Sequence, residues 1–292
     1  MPAWDDLTRV ELRDACERGE LIAEGELNTT YRAMLRGRRV FVRIRTVQDA
    51  EFGQTFAAER HVYGLVDGVV RVPRLLALDP SAAPAYAVFE FVESVPTRWD
   101  AAATLVGLAE LLARLHRVPG PGLGPVDAPG GSTDAAAVLH GLARAELDRV
   151  RAAVGDELHV GPMHAWVNEF PRIFAGEPVV LCHGDVHAGN VLTGGDGELW
   201  LVDWEAARFR VAAADFNQLR HRWLGPEQET ALVDAYLAAT GRQPTLLWRQ
   251  IASLRVLWHL RTLNFLMLVH GRTLASQRHH LAAAYEQLAV AA

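Results

Sequence analysis

Residues 182–192 read CHGDVHAGNVL, and they place His183, Asp185, His187 and Asn190 within eight consecutive positions. Such a cluster suits two kinds of chemistry. Imidazole and carboxylate groups in a loop bind zinc in hydrolases. Carboxylate and amide oxygens bind magnesium in enzymes that transfer phosphoryl groups. The residues around this stretch indicate which of the two chemistries applies, and they also indicate the fold.

The zinc interpretation rests on alternation. His183, Asp185 and His187 would share one face of an extended strand. A catalytic zinc usually takes three protein ligands supported by further hydrogen bonds. The chain offers no Cys-x-x-Cys, His-Glu-x-x-His or His-x-His pattern to complete such a site. A hydrogen-bonding role of His183 is the simpler interpretation, and zinc hydrolysis stays as an alternative.

The phosphotransfer interpretation needs a base for the acceptor hydroxyl and oxygen ligands for Mg²⁺. Asp185 is the carboxylate inside the loop, and Asn190 follows five residues later. The apolar stretch NVLT, the turn GGDG and the stretch ELWLVDW together predict a hairpin. That hairpin would bring Asp203, at the end of its second strand, beside Asn190.

The two motifs HGDVHAGN and LVDWE resemble the aminoglycoside phosphotransferase and choline kinase family, small-molecule kinases related to protein kinases. The shared pattern is His-Gly-Asp, four residues, Asn, and then an apolar strand that ends in Asp. The resemblance implies Asp185 as the catalytic base and Asn190 and Asp203 as metal ligands. It also implies that Asp215 and His183 support the catalytic loop, although a simple helix cap is another interpretation of Asp215.

The resemblance implies an α+β, two-lobed, protein-kinase-like fold with a β-rich lobe at 1–92 and a mainly helical lobe at 93–292. The stretches TYRAML and VFVRIR alternate around Gly37, which predicts a hairpin. A helix near 50–65 and the strand YAVFEFV would complete the first lobe. The second lobe is predicted to hold a helix with one apolar face, a further helix ending near 154 and three helices in the last seventy residues. That apolar face comprises Leu105, Leu108, Leu112 and Leu115.

A phosphate-binding cation in the first lobe is the next element that the resemblance implies. Alternation puts Phe41 and Arg43 on one face of the strand VFVRIR. Glu59 lies on the same helical stripe as Phe56 and Tyr63, and a charge on a buried stripe needs a partner. We therefore predict an ion pair between Glu59 and Arg43. The resemblance implies that Arg43 binds phosphate and that Phe41 covers the nucleotide base.

The rest of the nucleotide site follows from the same resemblance. The stretch AEGELNTTYR carries a single glycine, Gly25, and its backbone amides with the hydroxyls of Thr29 and Thr30 would contact phosphate. The stretch VFEFVES resembles a hinge strand that offers backbone groups to adenine, around Glu90 to Val92. The implied cofactors are ATP, or else GTP, and Mg²⁺.

The acceptor is predicted to be a small molecule. About a dozen residues separate Asp203 from Asp215, which leaves no room for both an activation segment and a peptide-binding platform. An antibiotic is favoured, and choline-like amino alcohols or other metabolites are the alternative. A pseudokinase that acts through partners is a third option, against which the intact Asp185, Asn190 and Asp203 argue. The candidates for acceptor binding are Glu205, Trp166, Trp223 and His259, although a tryptophan is more often a core residue.

Composition limits the partners. The chain has 292 residues, of which 50% are hydrophobic, enough to build the core of one large domain or two lobes. The net charge is −6 without a long basic tract, so neither nucleic acid nor a membrane surface is an expected partner. This charge and the lack of an obvious basic cluster in the second lobe predict a neutral or basic acceptor.

Location follows from the apolar segments. Three arginines interrupt the most apolar stretch, 246–270, so it is not expected to span a membrane. The polar, acidic N-terminus does not read as a signal peptide, and the cytoplasm is the expected location. The sequence gives no indication of the oligomeric state.

Overall fold

The protein is described from a computed structural model, which covers residues 4, 6–24, 28–46, 56–154, 160–217, 219, 223–268 and 274–291. The chain forms two compact units. The first unit comprises Met1–Arg98, Pro125–Asp127 and Ala188–Ala207, and the second comprises Trp99–Gly124, Ala128–His187 and Arg208–Ala292. The functional lobes at 1–92 and 93–292 stay a prediction.

The first unit is built on a five-stranded antiparallel sheet in the order β1-β2-β3-β5-β4. The strands are β1 (Glu20–Glu24), β2 (Asn28–Leu35), β3 (Arg38–Arg45), β4 (Leu75–Asp79) and β5 (Tyr86–Glu90). The helices α1 (Arg9–Glu17) and α2 (Phe56–Val66) belong to the same unit. The predicted helix near 50–65 is confirmed from Phe56 onward, and 47–55 lie outside the described residues.

The predicted hairpin is β2–β3, whose turn is Arg36 and Gly37. Both turn residues have left-handed backbone angles, with φ of 51° and 75°. A two-residue turn of this hand matches the twist of the paired strands, and it needs φ above zero at both positions. Beyond the turn, Val40 and Val42 pack into a core cluster with α1, whereas Phe41 packs into another with Phe56 and Phe89. The predicted alternation along β3 is therefore confirmed.

A second, small sheet in the first unit carries the later motif. It has the order β10-β9-β6, with β6 (Ser94–Val95), β9 (Val191–Gly194) and β10 (Leu199–Leu201). Strands β9 and β10 form the predicted hairpin, in which Leu201 pairs with Val191. Two short 3₁₀ helices, Ala188–Asn190 and Trp204–Ala206, flank the hairpin. Its two ends therefore lead directly to Asn190 and Asp203.

The second unit is mainly helical. Its helices are α3 (Ala102–Leu115), α4 (Ala135–Val154), α5 (Val160–Ile173), α6 (Pro226–Thr240), α7 (Pro244–Leu268) and α8 (Leu274–Ala291). Helix α7 packs on α8, α3 on α6, and α4 on α5. Three short strands, whose residues belong to this unit except for Pro125, form a sheet in the order β7-β11-β8, with β7 (Gly124–Pro125), β8 (Val180–Cys182) and β11 (Arg208–Arg210). A 3₁₀ helix, Ala212–Phe216, follows β11.

The predicted helical half of the chain is confirmed. Leu105, Leu108, Leu112 and Leu115 are all buried along α3. Three helices complete the chain, and α6 ends at Gly241, whose φ of 68° provides the left-handed cap. The fold class, a sheet-rich N-terminal part with a helical C-terminal part, is likewise confirmed. Across the described residues, none of the helices has the length and apolarity needed to cross a membrane.

Candidate active site

Arg43 forms the centre of a charged cluster in the first unit. It lies on β3 and is 6% exposed, and Glu59 on α2 is 1% exposed. Arg43 Nη1 donates to Glu59 Oε1 at 2.9 Å, so the predicted ion pair is confirmed. Arg43 Nη2 donates to Asp203 Oδ1 at 2.8 Å. Burial opposes the charge of Arg43, but Glu59 and Asp203 outweigh it and raise the pKa of Arg43 above its ordinary value.

Asp203 stands in an unusual backbone conformation directly before the 3₁₀ helix Trp204–Ala206. Its φ of 64° and ψ of 73° are left-handed, which aspartate tolerates better than most residues. Trp204 is fully buried and anchors the chain just after it. One residue earlier, the Val202 amide donates to the Asn190 carbonyl at 3.0 Å. The hairpin thus fixes Asp203 and Asn190 at neighbouring ends, as the sequence predicts.

The donor set of this corner fits a magnesium ion. Mg²⁺ prefers one or two carboxylates completed by other oxygens. The Asp203 side chain is 48% exposed, so its carboxylate is open to a ligand even while it pairs with Arg43. The amide oxygen of Asn190 is a second hard donor from the same unit. Neither residue brings a thiolate or imidazole that would favour zinc.

The other nucleotide-binding candidates lie along the same sheet. Thr29 and Thr30 are on β2, where Thr30 pairs with Arg43, while Gly25 lies outside the described residues. Phe41 is half-buried and its ring lies 4.9 Å from that of Phe91. The amide of Glu90 donates to the Arg74 carbonyl at 2.9 Å, whereas Val92 follows the end of β5. Backbone donors for adenine would therefore come from the residues after Glu90. Nucleotide binding by these residues stays a prediction.

Asp215 supports the HGD loop in the second unit. The amides of His183 and Gly184 donate to its two carboxylate oxygens, at 2.9 and 2.7 Å. The side chain is buried, which opposes its ionisation, but His116, His183 and the Gly184 amide together lower its pKa. His183 in turn accepts from the Asp185 amide at 3.3 Å. These bonds hold the backbone on both sides of Gly184, whose φ is 83°.

Two further residues complete this support, and the sequence does not reveal them. His116, the residue after α3, lies with Nε2 3.0 Å from Asp215 Oδ2. Because a carboxylate only accepts, Nε2 is the donor. The other ring nitrogen lies 2.8 Å from the Tyr236 hydroxyl on α6. The contacts join positions 99 and 120 residues apart, which no local pattern reveals.

Asp185 is partly open at the end of this supported loop. Its side chain is 29% exposed, and Oδ2 lies 3.4 Å from Nε2 of His187, which is 27% exposed. A carboxylate in this position is accessible to a substrate while its backbone is fixed. The neighbouring thiol of Cys182 is buried, and burial raises its pKa well above the ordinary value. Cys182 is therefore unsuited to act as a nucleophile.

The four acceptor-binding candidates have different environments. Glu205, in the first unit, accepts from Asn28, and burial raises its pKa. Trp166 is 5% exposed and packs edge-on against Phe170. Trp223 contacts Trp99 with ring centroids 4.2 Å apart, and His259 is buried beside Trp258 and His280. Acceptor binding by any of the four stays a prediction.

A comparison with known families identifies the chain. Residues 18–254 match the family model described as the phosphotransferase enzyme family, APH. The chain belongs to this family. The family resemblance read from HGDVHAGN and LVDWE is thereby confirmed, as is the prediction of a small-molecule kinase. Family membership also favours the phosphotransferase over the zinc hydrolase. No curated protein matches the sequence.

Solved structures share the fold of this phosphotransferase over nearly its whole length. A thermostable mutant of aminoglycoside phosphotransferase APH(4)-Ia, in ternary complex with ADP and hygromycin B, is 17% identical, with a TM-score of 0.69 and coverage of 98% of this chain and 99% of that one. Macrolide 2'-phosphotransferase type I is 20% identical, with a TM-score of 0.62 and 99% coverage of both. Choline kinase LicA from Streptococcus pneumoniae is 14% identical, with a TM-score of 0.61 and 93% coverage of both. At these identities the likeness shows the fold.

Proposed function

We propose that this phosphotransferase transfers the γ-phosphoryl group of ATP, or of GTP, to a hydroxyl group of a small molecule. The observation that carries the proposal is the cluster of Glu59, Arg43 and Asp203. A buried arginine held between two carboxylates has a fixed direction and a permanent charge, as phosphate binding requires. The APH(4)-Ia complex with ADP supports a nucleotide as the donor.

Arg43 is the residue proposed to bind the phosphates of the nucleotide. Its guanidinium cannot lose its proton near neutral pH, and Glu59 restrains it from one side. The cation–π contacts with Phe56 and Phe89, at 5.9 and 5.7 Å, restrain it further. A fixed cation stabilises charge that develops on the transferred group without reorganising during the reaction.

Asp185 is proposed to act as the base. It orients the acceptor hydroxyl and takes its proton as the oxygen bonds to the γ-phosphorus. The bond between that phosphorus and the bridging oxygen breaks, and ADP leaves. The products are a phosphate monoester, ADP and one proton. The hydrogen bonds from the His183 and Gly184 amides to Asp215 keep the base in position, which this chemistry depends on.

Asn190 and Asp203 are proposed to hold Mg²⁺ through their side-chain oxygens. A bound magnesium ion neutralises phosphate charge and fixes the phosphate geometry. The support in this chain is the hairpin that fixes the two residues at neighbouring ends, together with the exposure of Asp203. Arg43, which bonds to Asp203, would hold its carboxylate in one orientation.

We further propose an antibiotic as the acceptor, with a hydroxylated metabolite such as an amino alcohol as the alternative. The fold shared with APH(4)-Ia bound to hygromycin B and with macrolide 2'-phosphotransferase supports the antibiotic. The fold shared with choline kinase LicA supports the metabolite. A phosphate monoester adds about −1.5 to −2 charges, enough to block burial of a hydroxyl in a target.

A nucleotide-consumption screen tests the proposal. The purified chain, Mg²⁺ and ATP are incubated with a panel of antibiotics and amino alcohols, and products are identified by mass. Formation of a phosphate monoester that requires Mg²⁺ is expected. Expression in a sensitive bacterium, with inhibitory concentrations measured, separates the two acceptor classes. Labelling of protein in preference to every small molecule would contradict the proposal.

A further inference from the structure

A cavity of about 580 Å³ opens in the second unit, and all of its lining residues belong to that unit. It reaches Gly184, the residue next to the proposed base Asp185. Its volume lies within the range of about 300–1,000 Å³ that is usual for small-molecule sites. The position and the size both suit the molecule that receives the phosphoryl group.

The charged side chains that line this cavity are all positive. Among the described residues that line it, the three with charged side chains are Arg208, Arg210 and Arg261. Arg210 forms no salt bridge with a described residue, and Arg261 lies 3.7 Å from Glu146. The Glu146 carboxylate is shared, because Arg149 and Asn264 donate to it at 3.0 and 2.6 Å. Arg210 therefore brings to the cavity wall a positive charge that has no salt bridge to a described carboxylate, and Arg261 adds one that shares Glu146 with two other donors.

Burial lowers the pKa of Arg210, and the charges of Arg208 and Arg261 lower it further, although Cys182 and Asp215 partly offset them. A buried cation near other cations is stabilised by a bound anion. Guanidinium groups bind carboxylates through paired hydrogen bonds. An anionic group on the acceptor would therefore be bound here, whereas a cationic group would be repelled.

The remaining wall is mostly apolar. Trp258 and Leu257 on α7 line it, and so do two large hydrophobic residues that are unusually exposed, Leu142 at 40% and Phe265 at 41%. Exposed apolar side chains around a cavity are typical of ligand sites. Apart from the arginines, the lining residues with polar side chains are Thr262 and Asn217, and the buried Oδ1 of Asn217 accepts no hydrogen bond from a described residue.

We propose that this cavity binds the phosphoryl acceptor and selects a hydroxylated molecule with an apolar body and a carboxylate. The inference rests on the proposed function, because it gives the chemical class of the acceptor for the same reaction. The carboxylate contacts Arg210 and Arg261, and the apolar body lies along Trp258 and Phe265. This differs from the neutral or basic acceptor that the sequence predicts, and it disfavours the amino alcohol proposed above as the alternative acceptor. That expectation assumed no basic cluster in the helical lobe, and folding brings the three arginines together from β11 and α7.

Matched acceptors test this selection. The probes are cholate, 16-hydroxyhexadecanoate and 4-(hydroxymethyl)benzoate, each with its methyl ester and with the amine in which CH₂NH₂ replaces the carboxylate. Binding to the full chain without nucleotide is measured by calorimetry, and phosphorylation is measured with Mg²⁺ and ATP. At least one acid is expected to bind about ten- to a hundredfold more tightly than its ester and its amine.

Three variants make the test specific. Arg210→Gln and, independently, Arg261→Gln should each remove the preference for the acid and leave binding of the ester unchanged. Arg149→Gln is the matched control, because it also removes an arginine that bonds to Glu146 but does not line the cavity. It should keep the preference. Circular dichroism establishes which variants fold, and either of the two cavity variants is sufficient.

The outcomes separate this inference from the proposed function. Tighter binding of an ester or an amine, the absence of binding by all three acids, or an acid preference that survives both cavity variants would overturn the inference. None of these results concerns ATP, so phosphoryl transfer to another acceptor would leave the proposed function intact. Acid binding that depends on Arg210, without any phosphoester formed from ATP, would support the cavity and contradict the function.

Discussion

Arg43 shows at the scale of a single residue how stability and function are connected in the first unit. Its side chain and that of Glu59 are both buried, so neither charge is compensated by water. Removing one partner of such a pair costs about 3–5 kcal/mol, since it leaves an unpaired buried charge. Replacing both partners with apolar side chains is often nearly neutral. The pair is therefore better explained by the proposed binding of phosphate than by a contribution to folding.

Replacing Arg43 tests this view. Arg43→Met should lower the free energy of unfolding by about 3–5 kcal/mol, because Glu59 stays buried without a cation. The double variant Arg43→Met, Glu59→Leu should recover most of that loss. Both variants should lose affinity for ATP, since the cation is gone. Urea unfolding and calorimetry measure the two effects, and equal ATP affinity in the double variant and the wild type would contradict the assigned role.

The role of Asp185 leads to a kinetic prediction. Asp185→Asn keeps the size of the side chain but removes the group that accepts the proton. The kcat should fall by roughly 10²–10⁴-fold, the usual worth of a positioned base. Binding of ATP with Mg²⁺ should stay. Asp148→Asn, an exposed change in the same unit, is the control. Turnover close to normal in Asp185→Asn would exclude Asp185 as the base.

At the scale of elements, the 3₁₀ helix Ala212–Phe216 holds the HGD loop. Asp215 on this element accepts two loop amides, and α3 and α6 support it through His116 and Tyr236. The amides come from His183 and Gly184, directly before the proposed base. Loss of Asp215 should therefore disturb both stability and catalysis, whereas loss of the Tyr236 hydroxyl should weaken the support without removing it.

Asp215→Asn gives a prediction that depends on pH. The asparagine can accept at only one atom, and it should lower the free energy of unfolding by about 2–5 kcal/mol at neutral pH. The pKa of Asp215 is lowered from 3.8 in the folded chain, so its ionised form stabilises the fold at higher pH. The stability difference from wild type should stay constant above about pH 5 and shrink as pH falls through the folded pKa. Tyr236→Phe should show a smaller loss that does not follow this titration.

Two glycines of the first unit, Gly37 in the β2–β3 turn and Gly64 in α2, should show opposite effects on stability when replaced by alanine. Gly37 has a φ of 75°, so Gly37→Ala should destabilise the first unit by about 1–2 kcal/mol through backbone strain alone. Gly64 lies inside α2 with open space around it, so Gly64→Ala should stabilise by about 0.5–1 kcal/mol. Both are measured by urea unfolding. Unchanged or increased stability of Gly37→Ala would mean that a side chain does not strain the turn, and a loss of stability in Gly64→Ala would contradict the prediction for α2.

The elements that the sequence predicts are those with a local signal. The alternation in β3 and the apolar stripe of α3 both appear in the chain as continuous patterns. Helix α5 has apolar residues at helical spacing, Met163, Trp166, Val167 and Phe170, but Gly161, Pro162 and Pro171 interrupt the pattern, so the helix is not predicted from the sequence. The sequence patterns above do not predict helix α1 either, although Thr8 and Glu11 form a capping box that marks its start.

The residues of the candidate site also fall into two groups, those that a local sequence pattern reveals and those that it does not. Motif residues such as Asp185 and Asn190 can be read from the sequence because their spacing is fixed within one loop. The Arg43–Glu59 pair can be read too, because a strand period and a helix period each leave one charge on a buried face. The support from His116 and the three cavity arginines could not be predicted. They depend on which distant elements pack together, and that information is not local.

At the scale of the whole molecule, the net charge of −6 describes the surface but not the cavity. Screening limits the reach of exposed charges to about 8–10 Å at ordinary ionic strength. A molecule bound in the cavity would therefore interact more strongly with the arginines that line it than with the carboxylates spread over the surface. Average charge predicts which large partners are repelled, whereas local charge decides which small molecule binds.

Ligand binding should be visible in the stability of the whole chain. A ligand that binds the folded state alone raises the free energy of unfolding by about 2.7 kcal/mol at a concentration of 100 Kd. ATP with Mg²⁺ should therefore raise the melting temperature, and EDTA should reduce the shift. In Asp203→Ala the shift should become small and independent of Mg²⁺, because the exposed carboxylate proposed to hold the ion is gone. Arg43 keeps Glu59 in that variant, so the fold should survive. If the shift in Asp203→Ala still grows with Mg²⁺ as it does in wild type, the ion is held elsewhere and Asp203 serves only to orient Arg43.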